Sequence, residues 1–221
     1  LVPEQATFQV EQALLSEDDE LSGYHRVEVM SFARLAKEVL AETSPVTLKP
    51  LSEFGKQMIL GRLMQQLHGD LKIFNRTADR SGFAIELSSI ISELRQYQKS
   101  PSMLLRQRDE LVQSGDAAMM PLADKLADLA LILRAYQDYI AGKFIDPDDY
   151  LDMMSLRCAQ VSQLQGCRLW VDGFAGFTPQ QYSALRALFK AADRTYFTLC
   201  LDASSKEFQR AHNPANQLDQ M

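Results

Sequence analysis

The chain has 221 residues, 46% hydrophobic and 24% charged, which is the mix of a folded globular protein with material for one large core or two small ones. That composition excludes a disordered, collagen-like or disulfide-scaffolded chain; no apolar run nears the roughly 18 residues that span a bilayer and no signal-peptide pattern opens the sequence, so the expected location is cytoplasmic. Lys plus Arg number 23 against 29 Asp plus Glu, a net charge of −6 and the reverse of the balance that holds nucleic acid by bulk electrostatics.

The chain opens at Leu1 without an initiator Met, in what reads as the tail of a strand, Leu1-Val2-Pro3, and is therefore expected to be a piece of something longer. A helix is predicted over residues 5–15. The acidic run Glu17-Asp18-Asp19-Glu20 is expected to be a solvated loop and accounts for much of the 9 to 3 excess of acids over bases in residues 1–45. Arg26-Val27-Glu28-Val29 reads as a short strand, followed by Ser31 and an amphipathic helix through Leu35, Val39 and Leu40.

Residues 51–163 carry a helical period: Phe54, Met58, Leu60, Leu63, Met64 and Leu67 in one stretch, then Leu122, Leu126, Leu129, Leu133, Tyr136 and Ile140 in another. Gly82, Pro101, Gly115 and Gly142 punctuate five or six helices whose stripes are expected to be packing core. Asp146-Pro147-Asp148-Asp149 supplies an N-cap, a Pro at the first helical position and acids in the first turn.

Beyond these helices, Arg168-Leu169-Trp170-Val171-Asp172 has the pattern of a buried strand. Thr178-Pro179-Gln180-Gln181 is a capping box opening a helix, and residues 195–201 form another strand. Strands that alternate with helices imply a mainly parallel sheet. The predicted class is therefore α/β: a discontinuous α/β core of residues 1–45 and 165–221, interrupted by an all-helical insertion, residues 46–164.

That order of parts invites comparison with nucleotide-hydrolysing sheets, in which a hydrophobic strand ends in a Mg²⁺-holding Asp followed by a water-polarising Glu. Asp172 ends the strand, but Gly173 follows it and brings no side chain to orient water. The plainer reading is that Asp172 only caps the strand end. A phosphate loop G-x-x-x-x-G-K-[ST] is also missing: Gly55-Lys56 is followed by Gln57, and Gly142-Lys143 by Phe144. ATP hydrolysis by this segment is not expected. His25, His68 and His212 stand apart without metal-ligand spacing, and no Gly-x-Ser-x-Gly elbow occurs. Asp146, Asp148, Asp149 and Asp152 fit a helix N-terminus better than a nuclease centre. Cys158, Cys167 and Cys200 lack paired spacing and read as reduced thiols.

Val2-Pro3-Glu4-Gln5-Ala6-Thr7-Phe8, Val29-Met30-Ser31-Phe32-Ala33-Arg34-Leu35-Ala36, Asp146 through Leu151 and, most specifically, Trp170-Val171-Asp172-Gly173-Phe174-Ala175-Gly176-Phe177-Thr178-Pro179-Gln180 together resemble the AddB (RexB) family. The resemblance runs through essentially the whole chain. AddB partners AddA in a bacterial helicase–nuclease that processes double-strand DNA breaks for recombinational repair. The resemblance implies an incomplete RecA-like sheet of superfamily 1 helicase type that has lost motor function, with Asp172 and Gly173 as a degenerate motif II. It implies no cofactor in this segment, with ATP and Mg²⁺ or an iron–sulfur cluster elsewhere in the parent chain or complex.

By the same resemblance, the partners are single-stranded DNA and an AddA-type subunit, and the job is scanning the strand for a Chi-type hotspot. The positions matching strand-contacting residues are Gln5, Thr7, Phe32, Arg34 and Phe174; a nearby position that can be aromatic in the family is Lys37 here. Gln5 and Thr7 are expected to hydrogen-bond bases or phosphates, Phe32 and Phe174 to stack on bases, and Arg34 to pair with phosphate or a guanine edge. Two alternatives stand beside this: Phe32 and Phe174 as core residues at strand ends, and the whole segment as a scaffold that docks the partner subunit.

Overall fold

The computed structural model describes residues 1–16, 27–43, 49–77 and 82–198. A short 3₁₀ turn, Glu4–Ala6, leads into α1 (Thr7–Ser16), and α2 spans Phe32–Thr43. Ser31 starts α2 as its sequence position predicts: its Oγ accepts from the Arg34 amide at 3.2 Å. Phe32, Leu35, Ala36, Val39 and Leu40 then fall on one buried face.

A two-residue strand β1 (Lys49–Pro50) precedes α3 (Glu53–Leu67), α4 (Phe83–Gln96), α5 (Pro101–Gln113) and α6 (Met120–Ile140). Strand β2 (Phe144–Ile145) returns to pair in parallel with β1, tying the two ends of this helical unit together. Its core comprises Leu60, Leu63 and Met64 of α3, Leu87 and Ile91 of α4, Leu104 of α5 and Ile132, Leu133 and Tyr136 of α6. The predicted stripe is partly corrected here: Phe54 is 70% and Met58 62% exposed, because the buried side of α3 runs through Lys56, Ile59, Leu60 and Leu63 instead. Leu122 is likewise exposed at the start of α6. One buried charge organises the long α3–α4 connection. Asp128 of α6 accepts from the amides of Lys72, Ile73 and Phe74 at 3.0, 2.8 and 3.0 Å, so its carboxylate is buried but fully engaged.

The second core is made by α2, α7 (Tyr150–Arg157), strand β3 (Arg168–Val171) and α8 (Pro179–Ala191), with Met154, Cys158, Val171, Ala184, Leu185 and Leu188 at its centre. Helix α8 opens on the full capping box: Thr178 Oγ1 accepts from the Gln181 amide and Gln181 Oε1 accepts from the Thr178 amide. Strand β4 (Arg194–Phe197) pairs with β3 in parallel, Arg168 opposite Arg194 and Trp170 opposite Tyr196. On the other side of β3, the Leu1 amine donates to Trp170 O (2.5 Å) and the Asp172 amide donates to Leu1 O (3.0 Å), the bonding of a parallel neighbour. The Val2 amide in turn donates to Met30 O (3.0 Å).

The expected strand at residues 26–29 is corrected: Arg26 lies outside the described residues, and 27–30 is extended chain joined to Val2 by this bond rather than a regular strand. Trp170 is also corrected. It is 52% exposed, not buried, because it points away from α8. Of the strand expected at 195–201, residues 194–197 form β4 and 199–201 lie outside the described residues, as do His25, Cys200, His212 and the run at 17–20. Cys158 and Cys167 are free thiols, and burial pushes both above the ordinary cysteine range.

The two cores meet at the 3₁₀ turn Pro147–Asp149. Lys56, 2% exposed in the middle of α3, donates to Asp148 Oδ2 at 2.5 Å and to Ser92 of α4 at 2.6 Å, with Asp146 at 3.8 Å. Arg95 of α4 pairs with Asp149, and Tyr136 of α6 donates to Asp146 Oδ2 at 2.6 Å. From the other side Gln180 of α8, also buried, donates to Asp148 O (2.5 Å) and Asp152 Oδ2 (3.0 Å). The acids at 146–152 do start a helix, as predicted, and three of them, Asp146, Asp148 and Asp149, are also the anionic half of an ion-pair network. Burial works against the Arg95 charge, and Asp149 and Asp146 outweigh it, holding the guanidinium above its ordinary range. Burial and the bond to Asp146 push the Tyr136 phenol up, so it serves only as a donor. Replacing Lys56 by Ala leaves Asp148 without its cation and Asp146 with Arg95 alone; urea denaturation is expected to show a loss of about 3–5 kcal/mol, against little change for an exposed control such as Lys125→Ala.

Candidate nucleic-acid interface

The segments that follow the three chain passes Leu1–Val2, 29–30 and β3 converge at one end of the sheet. Pro3 to Gln5 leave the first, Ser31 and Phe32 the second, and Gly173 to Thr178 the third; together with α4 and α7 they enclose an open cavity of about 510 Å³. A cleft outside the carboxyl ends of parallel strands is where α/β sheets place ligands, since loops from several strands meet there on a rigid base.

The aromatic side chains define its floor. Phe32 lies 5.4 Å from Phe174 and 6.3 Å from Phe177, and Phe174 lies 4.9 Å from Phe177, ring centre to ring centre. Phe32 is 6% exposed, so it is a core residue that also borders the cavity; Phe174 is half-buried and more accessible. Polar groups ring this floor: Gln5 and Lys37, both exposed, Gln96 from the end of α4, Tyr150 from α7 and Gln181 from α8. Burial, with Asp146 adding to it, pushes the Tyr150 phenol above its ordinary range, so the hydroxyl stays protonated on the cavity wall.

Of the five predicted contact residues the structure thus brings Gln5, Phe32 and Phe174 to one cavity. It places the other two elsewhere. Thr7 Oγ1 donates to Glu4 O at 3.0 Å within the first turn of α1, and Arg34 reaches Glu38 at 3.3 Å and Glu11 at 3.7 Å on the exposed side of α2. Lys37, one turn on from Arg34, carries the positive charge on the cavity rim. Gln96 and Tyr150 were not singled out from the sequence. Each sits in a helical pattern indistinguishable from its neighbours; the ion-pair network that docks the helical unit brings Gln96 to the cleft, and the packing of α7 in the sheet's core brings Tyr150.

In the turn after β3, Asp172 is the one carboxylate, and its Oδ1 accepts from the Thr198 hydroxyl. Among the described residues no group of three or more His, Cys, Asp or Glu is placed to hold a metal ion. Gly173 has φ +78°, the left-handed region, and a Cβ there would stand 3.5 Å from Pro3 Cδ, an ordinary contact. Glycine is therefore required by the backbone of this turn and not by crowding.

These features define an α/β protein with short parallel strand pairs, a helical unit docked on its side and an aromatic cleft at the strands' carboxyl ends. The sequence profile of the AddB N-terminal family matches residues 1–218, and the chain belongs to that family. Curated relatives share its sequence closely. A protein of Pelotomaculum thermopropionicum is 44% identical over 93% of this chain, one of Symbiobacterium thermophilum 43% over 91%, and one of Desulforudis audaxviator 42% over 93%; each is named as the B subunit of an ATP-dependent helicase/deoxyribonuclease. The matched stretch covers 17–18% of those relatives' own lengths, so the chain spans less than a fifth of each. Among the described residues no helix is long and apolar enough to cross a membrane.

Since φ +78° at position 173 strains any residue with a Cβ, Gly173→Ala is expected to cost about 1–2 kcal/mol in thermal or urea unfolding. Gly176→Ala, where no atom lies within 4 Å of the added Cβ and φ is not positive, is the matched control and should be near neutral.

Proposed function

We propose that this chain is the helicase-like N-terminal unit of the B subunit of an ATP-dependent helicase–nuclease for double-strand break processing, without motor chemistry of its own, and that its cleft holds single-stranded DNA. The observation that carries this reading is the cavity that gathers Gln5, Phe32 and Phe174 at the strands' carboxyl ends, in a chain of the AddB N-terminal family. The aromatic rings on its floor suit base stacking, and the amides of Gln5 and Gln96 suit base edges.

In this reading the fold is an incomplete RecA-like sheet of residues 1–45 and 165–221 with residues 46–164 as its helical insertion, a division supported by the two separate hydrophobic cores. Helix α7 lies within the insertion by number but packs in the sheet's core, so it serves as the insertion's anchor. The strand is scanned for a Chi-type hotspot, the partner is an AddA-type subunit, and ATP, Mg²⁺ and any iron–sulfur cluster belong to the rest of the parent chain or to the partner.

Fluorescence anisotropy with a labelled single-stranded oligonucleotide at two salt concentrations tests the reading. Phe174→Ala is expected to weaken binding roughly 5- to 150-fold, the equivalent of losing about 1–3 kcal/mol of stacking. Lys37→Ala and Arg34→Ala separate the rim cation from the one held by Glu11 and Glu38: the first should lower the salt slope by about one, the second by less. Phe32→Ala is a poorer probe, because truncating a buried ring costs about 3–5 kcal/mol of stability. A wild-type chain that does not bind at low salt would overturn strand holding by this unit. It would favour the second reading, a scaffold that docks the partner subunit, with which the net charge of −6 agrees.

A further inference from the structure

The aromatic floor of the cleft continues past its rim. Phe174 lies 4.9 Å from Phe177, which lies 5.6 Å from Tyr182 and 5.4 Å from Phe197, and Phe197 meets Phe189 at 6.4 Å. The rings thus run without a break from the cavity to the last turn of α8. Those beyond the cavity are open to solvent, Tyr182 at 60% and Phe189 at 43%, against 6% for Phe32. Helix α8 sets their spacing. Gln180 and Gln181 in its first turn line the cavity, while Tyr182, Arg186, Phe189 and Lys190 fall on the side turned away from buried Ala184, Leu185 and Leu188. All four are exposed, and Tyr182 and Phe189 stand about 10 Å apart along the axis at roughly 1.5 Å per residue.

Charge singles out the same stripe. The chain is acidic overall, yet no Asp or Glu stands between Asp172 and Asp193. Arg34 is held by Glu11 and Glu38, whereas neither Arg186 nor Lys190 has an ion-pair partner among the described residues. Exposed rings interleaved with unpaired cations meet what a single strand requires, faces for bases and positive charge for phosphates. The rings are not stacked away on their neighbours: Tyr182 is inclined 58° to Phe177, and Phe189 stands 87° to Phe197. A protein partner would find a poorer fit, since the core of a protein interface is contiguous apolar surface depleted of lysine, and here the cations separate the rings.

We propose that the outer side of α8 is a track for single-stranded DNA that continues from the cleft. Tyr182 and Phe189 stack on bases, and Arg186 and Lys190 pair with phosphates. The proposal rests on strand binding in the cleft and extends it: the cleft contacts bases with little help from charge, and the track holds the backbone of the nucleotides next to them.

Photo-cross-linking in the full-length polypeptide, with oligonucleotides that carry one 5-iodouracil at successive positions, tests it. Cross-links mapped by mass spectrometry are expected at Phe174 from one position, and at Tyr182 and then Phe189 from positions successively further along the strand in one direction. Cross-links at Phe174 with none at Tyr182 or Phe189 would overturn the track and leave the cleft standing. None at any of the three would overturn strand holding in the cleft, and the track with it. Cross-links at Tyr182 and Phe189 that the partner subunit abolishes would overturn it too, assigning the stripe to a protein interface. In a salt titration, the double variant Arg186→Ala, Lys190→Ala should lower the steepness of the salt dependence by about 1.4 for an oligonucleotide long enough to reach Lys190, two single-strand phosphate contacts, and by nothing for one confined to the cleft. An unchanged slope for the longer strand would overturn the phosphate contacts.

Discussion

The ion-pair network around residues 146–149 is what makes this a single folded object. The helical unit and the sheet unit have separate hydrophobic cores, and few apolar contacts would otherwise fix one against the other. Between them Lys56 and Arg95 come from the helices, while Asp146, Asp148 and Asp149 come from the turn that leads back to the sheet. Charges this deeply buried are costly alone and tolerable only when paired and hydrogen-bonded. The network therefore adds less to stability than to definition. One arrangement of the two units gives Lys56, Tyr136 and Gln180 their hydrogen bonds and Arg95 its ion pairs to Asp149 and Asp146 together, although the Arg95 Nε itself is left without a hydrogen bond.

The cleft inherits its shape from that fixed docking. Asp148, at the centre of the network, is also part of the cavity wall, and Gln180, bonded to Asp148 O and Asp152, sits one residue before Gln181 on the rim. Gln96 reaches the same rim one residue beyond Arg95. The polar groups facing the cavity are thus neighbours in sequence of the groups that lock the units, so a small rotation between units would move one wall of the cleft against the aromatic floor. The floor itself is anchored differently. Phe32 is held in the sheet's core by Phe174 and Phe177, so the ring that borders the cavity is placed by packing, at the cost of being nearly inaccessible.

Much of this was legible in the sequence where local chemistry decides. The Thr178 capping box, Ser31 before α2, Pro101 at the start of α5 and the α6 stripe of Leu129, Leu133, Tyr136 and Ile140 all lie where spacing and caps predict. Gln5, Thr7, Phe32, Arg34 and Phe174 were named by resemblance, not by periodicity; Gln5, Phe32 and Phe174 line one cavity, and Thr7 and Arg34 do not. What failed was everything set by a distant partner. Phe54 and Met58 fit the period of α3 yet face solvent, because the side facing the core is claimed by Lys56, a residue that binary patterning assigns to the surface. The aspartates at 146–152 read only as a helix N-terminus, because the cations that pair with Asp146, Asp148 and Asp149 lie some 50 to 95 positions earlier. Trp170 read as buried because nothing in one strand's sequence reveals which of its faces the rest of the chain covers.

The charge distribution bears on how such a cleft could hold an anionic strand at all. Arg34, the most obvious cation of the first hundred residues for that purpose, is spoken for by Glu11 and Glu38, and the cavity rim retains one exposed lysine, Lys37, beside Glu4. With Lys37 as the one cation on the cavity lining, Glu4 and Asp148 lining it too, and an overall charge of −6, counterion release can supply little. The energy must then come from ring contacts and amide hydrogen bonds to bases, which are short-ranged and geometry-dependent. A site of that kind grips a passing phosphate backbone weakly and responds mainly to which bases are presented. Under the proposed function, those properties suit the scanning of a moving strand, and a strongly basic groove would lack them.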